Sequence, residues 1–196
     1  MGVCMSEMIR AFIAFDISEE LVLKRLLHVQ NTLTKTGADL RLVKPTNIHI
    51  TLRFLGNIPA AMINPIHEEM KKVFSTPFEV EIRGIGAFPN LRRIRVVWAG
   101  IQRGANELRD ISNQLEPKLR KLGFRPDPKG FSPHLTIARV KSGRHRAELV
   151  RCIEELIDYQ FGIVKAECLR LKRSVLTPRG PIYSTLREVK AVDIER

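Results

Sequence analysis

Long apolar runs are missing from this 196-residue chain. None approaches the roughly 18 residues that a membrane-spanning helix requires. The opening Met1-Gly2-Val3-Cys4-Met5-Ser6-Glu7-Met8 has no charged-then-apolar layout, so it does not read as a secretory signal. Residues 1–8 are expected to form a short flexible extension, with Met5 and Met8 as alternative initiators. Cysteine is scarce: Cys4, Cys152 and Cys168 are odd in number and show no C-x-x-C spacing. That argues against a disulfide framework or a zinc site and fits reduced thiols in a cytoplasm. Acidic residues are in deficit, 21 against 33 basic ones, for a net charge of +12. Such a surface attracts polyanions, with RNA or DNA foremost. An ion-pair-rich, heat-stable surface would need a closer balance of charge. The chain also has no G-x-x-x-x-G-K-[ST], no G-x-S-x-G and no H-E-x-x-H, and Gly84-x-Gly86 opens no helix. Walker-type nucleotide sites, serine hydrolases and zincins are therefore unsupported. With 44% apolar and 28% charged residues, the chain is globular rather than disordered.

What is present is a pattern that occurs twice. Asn47-Ile48-His49-Ile50-Thr51-Leu52-Arg53-Phe54-Leu55-Gly56 alternates polar and apolar side chains at the period of a half-buried strand. His49 and Thr51 then share one face, with Ile48, Ile50 and Leu52 on the other. Phe131-Ser132-Pro133-His134-Leu135-Thr136-Ile137-Ala138-Arg139-Val140 does the same with His134 and Thr136. One His-x-Thr triplet is ordinary strand composition. With five His and nine Thr in the chain, two by accident is roughly a one-in-fifty coincidence.

Around these strands the periodicity predicts a buried strand over Arg10–Ile17 and a helix capped by Ser18, with Val22, Leu26, Val29 and Leu33 inward and Gly37 as its stop. Gly56–Pro59 reads as a loop and Ala60–Phe74 as a helix. Strands follow at Phe78–Ile85 and Arg95–Gly100, and helices at Gly104–Leu122 and Arg146–Asp158, the last with Ile157 inward. Gly123–Gly130 reads as loop. A hairpin closes the chain, Ile163–Leu176 against Ile182–Val189. His28 reads as structural or solvent-facing, and His67, beside Glu68 and Glu69 but outside any H-E-x-x-H, does not read as a metal ligand. The expected architecture is α+β: one domain over 1–196 built of two interleaved lobes. Each lobe would be a curled antiparallel sheet with helices outside, the two motifs facing each other across a central cleft.

Two facing imidazoles suit general acid–base chemistry near neutral pH, one taking a proton from a nucleophile and the other giving one to a leaving group. Thr hydroxyls beside them suit the non-bridging oxygens of a phosphodiester, and no step requires a metal. The two motifs, with the opening Arg10–Phe15, the strand Arg95–Gly100 and the closing Leu176–Tyr183, resemble the 2H phosphoesterase superfamily in its archaeal and bacterial 2′-5′ RNA ligase-like branch. The resemblance implies a bilobal, pseudo-twofold fold and a metal-independent RNA 2′,3′-cyclic phosphodiesterase that yields 2′-phosphomonoesters. It implies His49 as proton donor and His134 as proton acceptor, Thr51, Thr136 and Arg139 on the phosphate, and no cofactor. Reversal of the same steps implies ATP-independent 2′-5′ ligation. The partner implied is RNA with 2′,3′-cyclic phosphate ends, tRNA fragments being one instance, acted on by a cytoplasmic monomer.

Arg92, Arg93, Arg95, Arg125, Lys129, Lys172 and Arg173 are candidates for an RNA path, each also readable as a solvated face. Phe54, Phe131 and Tyr183 are candidates to stack a terminal base, against core packing. Two other functions fit the sequence: a non-catalytic module that holds RNA ends, and a 2H enzyme for another cyclic-phosphate or 2′-5′ substrate.

Overall fold

The computed structural model describes residues 7–128 and 130–192. Most of the expected N-terminal extension, Cys4 and Lys129 therefore lie outside the described residues. Among the described residues nine strands and four helices follow one another as β1 (Met8–Asp16), α1 (Glu20–Lys35), β2 (Leu40–Leu42), β3 (His49–Pro59), α2 (Ile63–Lys71), β4 (Phe78–Phe88), β5 (Val96–Ile101), α3 (Ala105–Lys121), β6 (His134–Val140), α4 (Arg146–Glu155), β7 (Gln160–Ala166), β8 (Cys168–Thr177) and β9 (Gly180–Lys190).

All pairings among the described strands are antiparallel, in the order β7-β4-β5-β6-β3-β1-β8-β9, with β2 added to β6. The path is continuous, but its two halves meet at a single register pair, Ile50 of β3 opposite Leu135 of β6. Two curled sheets are thus joined at the centres of the two His-x-Thr motifs. Helices α1 and α4 cover the β7-β4-β5-β6 half, and α2 and α3 cover the other. Helix α1 follows β1 yet packs on the half that does not contain it, and α3 does the converse. Each half therefore buries apolar surface supplied by the other. Leu26, Leu33, Ile66, Met70, Leu108 and Leu115, at helical spacing, are buried beneath the sheet.

Several expectations are corrected. Gly56–Pro59 is no loop: it continues β3 and pairs with Met8–Ala11, and Pro59 is tolerated because it ends the strand. Strand β1 accordingly starts at Met8 rather than Arg10. Ser18 does not cap α1; the first helical bond goes to the Glu19 carbonyl, whose residue is the cap. Gly37 does stop the helix, in a left-handed conformation (φ +76°). Ala60–Met62 is a single 3-10 turn before α2, which ends at Lys71. Helix α4 ends at Glu155, leaving Ile157 exposed. Ile163–Leu176 is two strands, β7 pairing with β4 and β8 pairing with β1 and β9, at opposite ends of the sheet. Local periodicity cannot see that division, because both segments alternate alike. Strand β2 is too short to announce itself.

Candidate active site

A cavity of about 500 Å³ opens where the two halves meet, and His49, Thr51, His134, Thr136 and Arg139 all line it. Regular alternation accounts for the first four. Arg139 requires an irregularity, since residues 134, 136 and 138 should share a face. The register supplies one: Val97 faces Ala138 while Trp98 faces Thr136, so Ile137 is an extra residue. Strand β3 has the same device. Ile13 faces Arg53 while Ala14 faces Thr51, so Leu52 is extra. Each bulge sits one residue after the motif threonine and returns the residue three beyond it to the cavity. Phe54 and Arg139 are therefore pseudo-equivalent, and the pseudo-twofold extends to these irregularities.

The same bulge turns Arg53 away from the cavity. It is buried, with Nε 3.0 Å from Glu116 Oε2, Nη1 3.4 Å from Asp127 Oδ2, and Nη2 donating to the Arg125 carbonyl at 2.5 Å. This clamp ties β3 to α3 and to the loop that delivers the chain to β6.

Both motif histidines are held alike. His49 Nδ1 lies 2.7 Å from the Asn47 carbonyl, and His134 Nδ1 lies 2.7 Å from the Ser132 carbonyl. A carbonyl oxygen only accepts, so each Nδ1 carries the proton and donates it. That tautomer leaves each Nε2 with its lone pair for the cavity. Neighbouring rings fix the imidazoles further. Phe12 lies 4.9 Å from His49 and Tyr183 stands edge-on to it at 5.3 Å, while Phe88 stands edge-on to His134 at 4.9 Å.

These rings also exclude water. Burial pushes His49 down to about 4, reinforced by the nearby Lys172 charge and opposed by the hydrogen bond to Asn47 and by Asp16. His134 is lowered too, by burial first and then by the Arg139 charge. Both rings are thus neutral near neutral pH. Burial raises the Tyr183 hydroxyl, which stays protonated as a donor.

Among the described residues neither threonine hydroxyl has an internal hydrogen-bond partner, and both face the same space as the imidazoles. The arrangement offers two aligned bases, two hydroxyl donors and a guanidinium to an anionic tetrahedral group. Among the described residues no group of three or more His, Cys, Asp or Glu is gathered as a metal would require.

The remaining lining residues are not legible in the sequence. Arg10, Arg41, Lys44 and Arg179 join Arg139 as cationic walls, with no carboxylate among the described lining residues. Nothing in the sequence separates these from any solvated surface cation. The described cations that the sequence offers for an RNA path do not line the cavity: Lys172 is paired with Asp16 at 2.5 Å and Arg173 with Glu7 at 3.1 Å. Of the aromatic candidates, Phe131 packs against the core, whereas Phe54 and Tyr183 line the cavity. Phe54 is 57% exposed, which sets aside core packing for it.

Asn47, which in the sequence only opens the alternating stretch, does two things. Its carbonyl orients His49, and its amide Nδ2 donates to the Pro181 carbonyl at 2.9 Å, tying the histidine to the β8–β9 turn.

Comparison with known proteins fits this geometry. The sequence matches the family described as LigT like Phosphoesterase over residues 17–98 and 100–183. It is 41% identical to the RNA 2′,3′-cyclic phosphodiesterase of Aeropyrum pernix, over 88% of this chain and 98% of that one. Against the protein of the same name from Methanothermobacter thermautotrophicus it is 38% identical, over 91% of this chain and 96% of that one. Among solved structures, TT0787 of Thermus thermophilus superposes with a TM-score of 0.77 at 26% identity, covering 93% and 97% of the two chains. Escherichia coli LigT, solved with 3′-AMP, shares the fold with a TM-score of 0.78 at 21% identity, covering 95% and 100%.

Proposed function

The chain belongs to the LigT-like phosphoesterase family, a family of enzymes, and on that premise we propose that it opens the 2′,3′-cyclic phosphate at an RNA 3′ end to leave a 2′-phosphomonoester. The observation that carries the reading is the pair of Nδ1–carbonyl anchors, which turn two imidazole Nε2 atoms into one cavity. Two bases with opposite tasks are what an in-line displacement at phosphorus needs.

In this reaction the cyclic phosphate lies between the motifs, its non-bridging oxygens on Thr51, Thr136 and Arg139. A water oxygen attacks phosphorus and passes a proton to His134 Nε2. The bond from phosphorus to the 3′ oxygen breaks, and His49 donates from Nε2 to that oxygen. His49 must first gain a proton, which its lowered pKa opposes. The anionic phosphate supplies the remedy, because an opposite charge within hydrogen-bond reach favours the imidazolium. Substrate binding thereby arms the acid. With a 5′-hydroxyl in place of water, the same displacement, its proton passing to His134 and the 3′ oxygen taking one from His49, joins two RNA ends through a 2′-5′ linkage without ATP. The protein would act on cytoplasmic RNA ends, tRNA fragments among them, as a monomer.

The test is an oligoribonucleotide ending in a 2′,3′-cyclic phosphate, incubated in EDTA with wild type, His49→Ala and His134→Ala. Conversion to the 2′-phosphate by wild type, lowered about 10²–10⁴-fold in each variant, supports the reading. Binding without conversion by wild type would overturn it in favour of an RNA-end-binding module.

A further inference from the structure

The cationic wall of the cavity is organised. Arg41 of β2 stands directly opposite Arg139 of β6 in the antiparallel register. A cross-strand pair of like charges is unfavourable by itself. The turn between β8 and β9 then brings a third guanidinium to the same wall. Arg41 Nη2 lies 3.4 Å from where a Cβ on Gly180 would stand, and Arg179 precedes that glycine and lines the cavity. Among the described residues none of the three has an ion-pair or hydrogen-bond partner. The contrast with the surroundings is sharp. Arg53 holds Glu116 and Asp127, Lys172 and Arg170 hold Asp16, and Arg173 holds Glu7. Carboxylates neutralise the cations behind the site, and no described carboxylate neutralises these three.

A 2′,3′-cyclic phosphate carries one negative charge, which the two threonines, Arg139 and a protonated His49 already meet. Resting on the reading above, we propose that Arg41 and Arg179 form a second phosphate subsite, which holds the phosphodiester linking the terminal nucleotide to the one before it. Strand β2 belongs to one half of the sheet and the β8–β9 turn to the other. The subsite is therefore built across the cleft, where a strand entering the site would lie. Recognition is of charge and backbone, with no requirement for a particular base.

The experiment compares four substrates: adenosine 2′,3′-cyclic phosphate, the same nucleotide with a 5′-phosphate, ApA ending in a 2′,3′-cyclic phosphate, and that dinucleotide with an uncharged methylphosphonate link. For wild type, kcat/KM for the charged dinucleotide should exceed that for the methylphosphonate by about tenfold or more, the scale of a charge-assisted hydrogen bond. In Arg41→Ala and Arg179→Ala that ratio should fall toward one. If wild type treats the two dinucleotides alike, the second subsite is wrong while the hydrolase reading stands. If an adenosine 2′,3′-cyclic phosphate with a 5′-phosphate gains as much as the dinucleotide, the site takes a terminal phosphate and the strand assignment is overturned. If none of the substrates is hydrolysed, the hydrolase reading fails and the subsite falls with it.

Discussion

Ile50 faces Leu135 across the seam between β3 and β6, the one register pair among the described residues that joins the two halves of the sheet. Each is the central residue of a His-x-Thr motif, and each is fully buried, at 1% and 0% exposure. Their side chains point to the core, so the flanking histidines and threonines point to the cavity. The apolar contact and the polar site are two faces of one join.

Truncating that join should be costly. Leu135→Ala is expected to destabilise the protein by about 2–5 kcal/mol, as buried Leu→Ala changes do. Urea unfolding monitored by circular dichroism measures it. A loss under about 1 kcal/mol would show that the seam does not depend on this packing.

The histidines make stability depend on pH. His49 sits at about 4 in the fold against an ordinary 6.5, and His134 is lowered as well. Between those two pH values the unfolded chain binds more protons, so stability falls as pH drops through this window and is unaffected above it. For His49 alone the loss at low pH is about 3 kcal/mol. Unfolding free energies at pH 7, 5 and 4 should show this decline, and His49→Ala should flatten it. Imidazole NMR should find the His49 pKa moving up when inorganic phosphate is added; an unchanged value would speak against substrate-armed acid catalysis.

Asn47→Ala removes the amide bond to Pro181 while keeping the carbonyl that orients His49. Loss of one such bond should cost about 1 kcal/mol of binding or alignment, a roughly fivefold fall in kcat/KM. Combining it with Tyr183→Phe tests for coupling through the β8–β9 turn. Strict additivity would mean that the tether does not act on that turn.

Arg53→Leu would strip Glu116 and Asp127 of their shared partner. Because Arg53 is 9% exposed and its carboxylate partners keep some water, the expected loss is about 2–4 kcal/mol. Glu116→Gln in the Arg53→Leu background should restore part of it, read from thermal melts. No recovery would indicate that lost packing, not an unpaired carboxylate, dominates.

Much of the site is legible in the sequence because its signal is local. His49, Thr51, His134 and Thr136 announce themselves through period-2 alternation, and alternation alone sets which face each takes. Arg139 comes from family resemblance; its physical reason is the bulge at Ile137, which periodicity does not display. Alternation alone would put Phe54 on the core side with Ile50 and Leu52, since the bulge at Leu52 leaves no mark on it. Arg10, Arg41, Lys44 and Arg179 give no signal, because an unpaired cation in a cleft and a solvated one on a surface look the same in sequence.

The sequence by itself determined the two strands, their buried and exposed faces, the helices' apolar stripes and the basic excess, all of which follow from side chains acting on near neighbours. Tertiary structure decided the rest: that Ile50 meets Leu135, that β7 and β8 part to opposite ends of one sheet, and that distant arginines converge on one wall. Those outcomes depend on pairing between segments far apart in the chain, where the energy lies in burial and charge shared across the cleft rather than in any local preference of the residues involved.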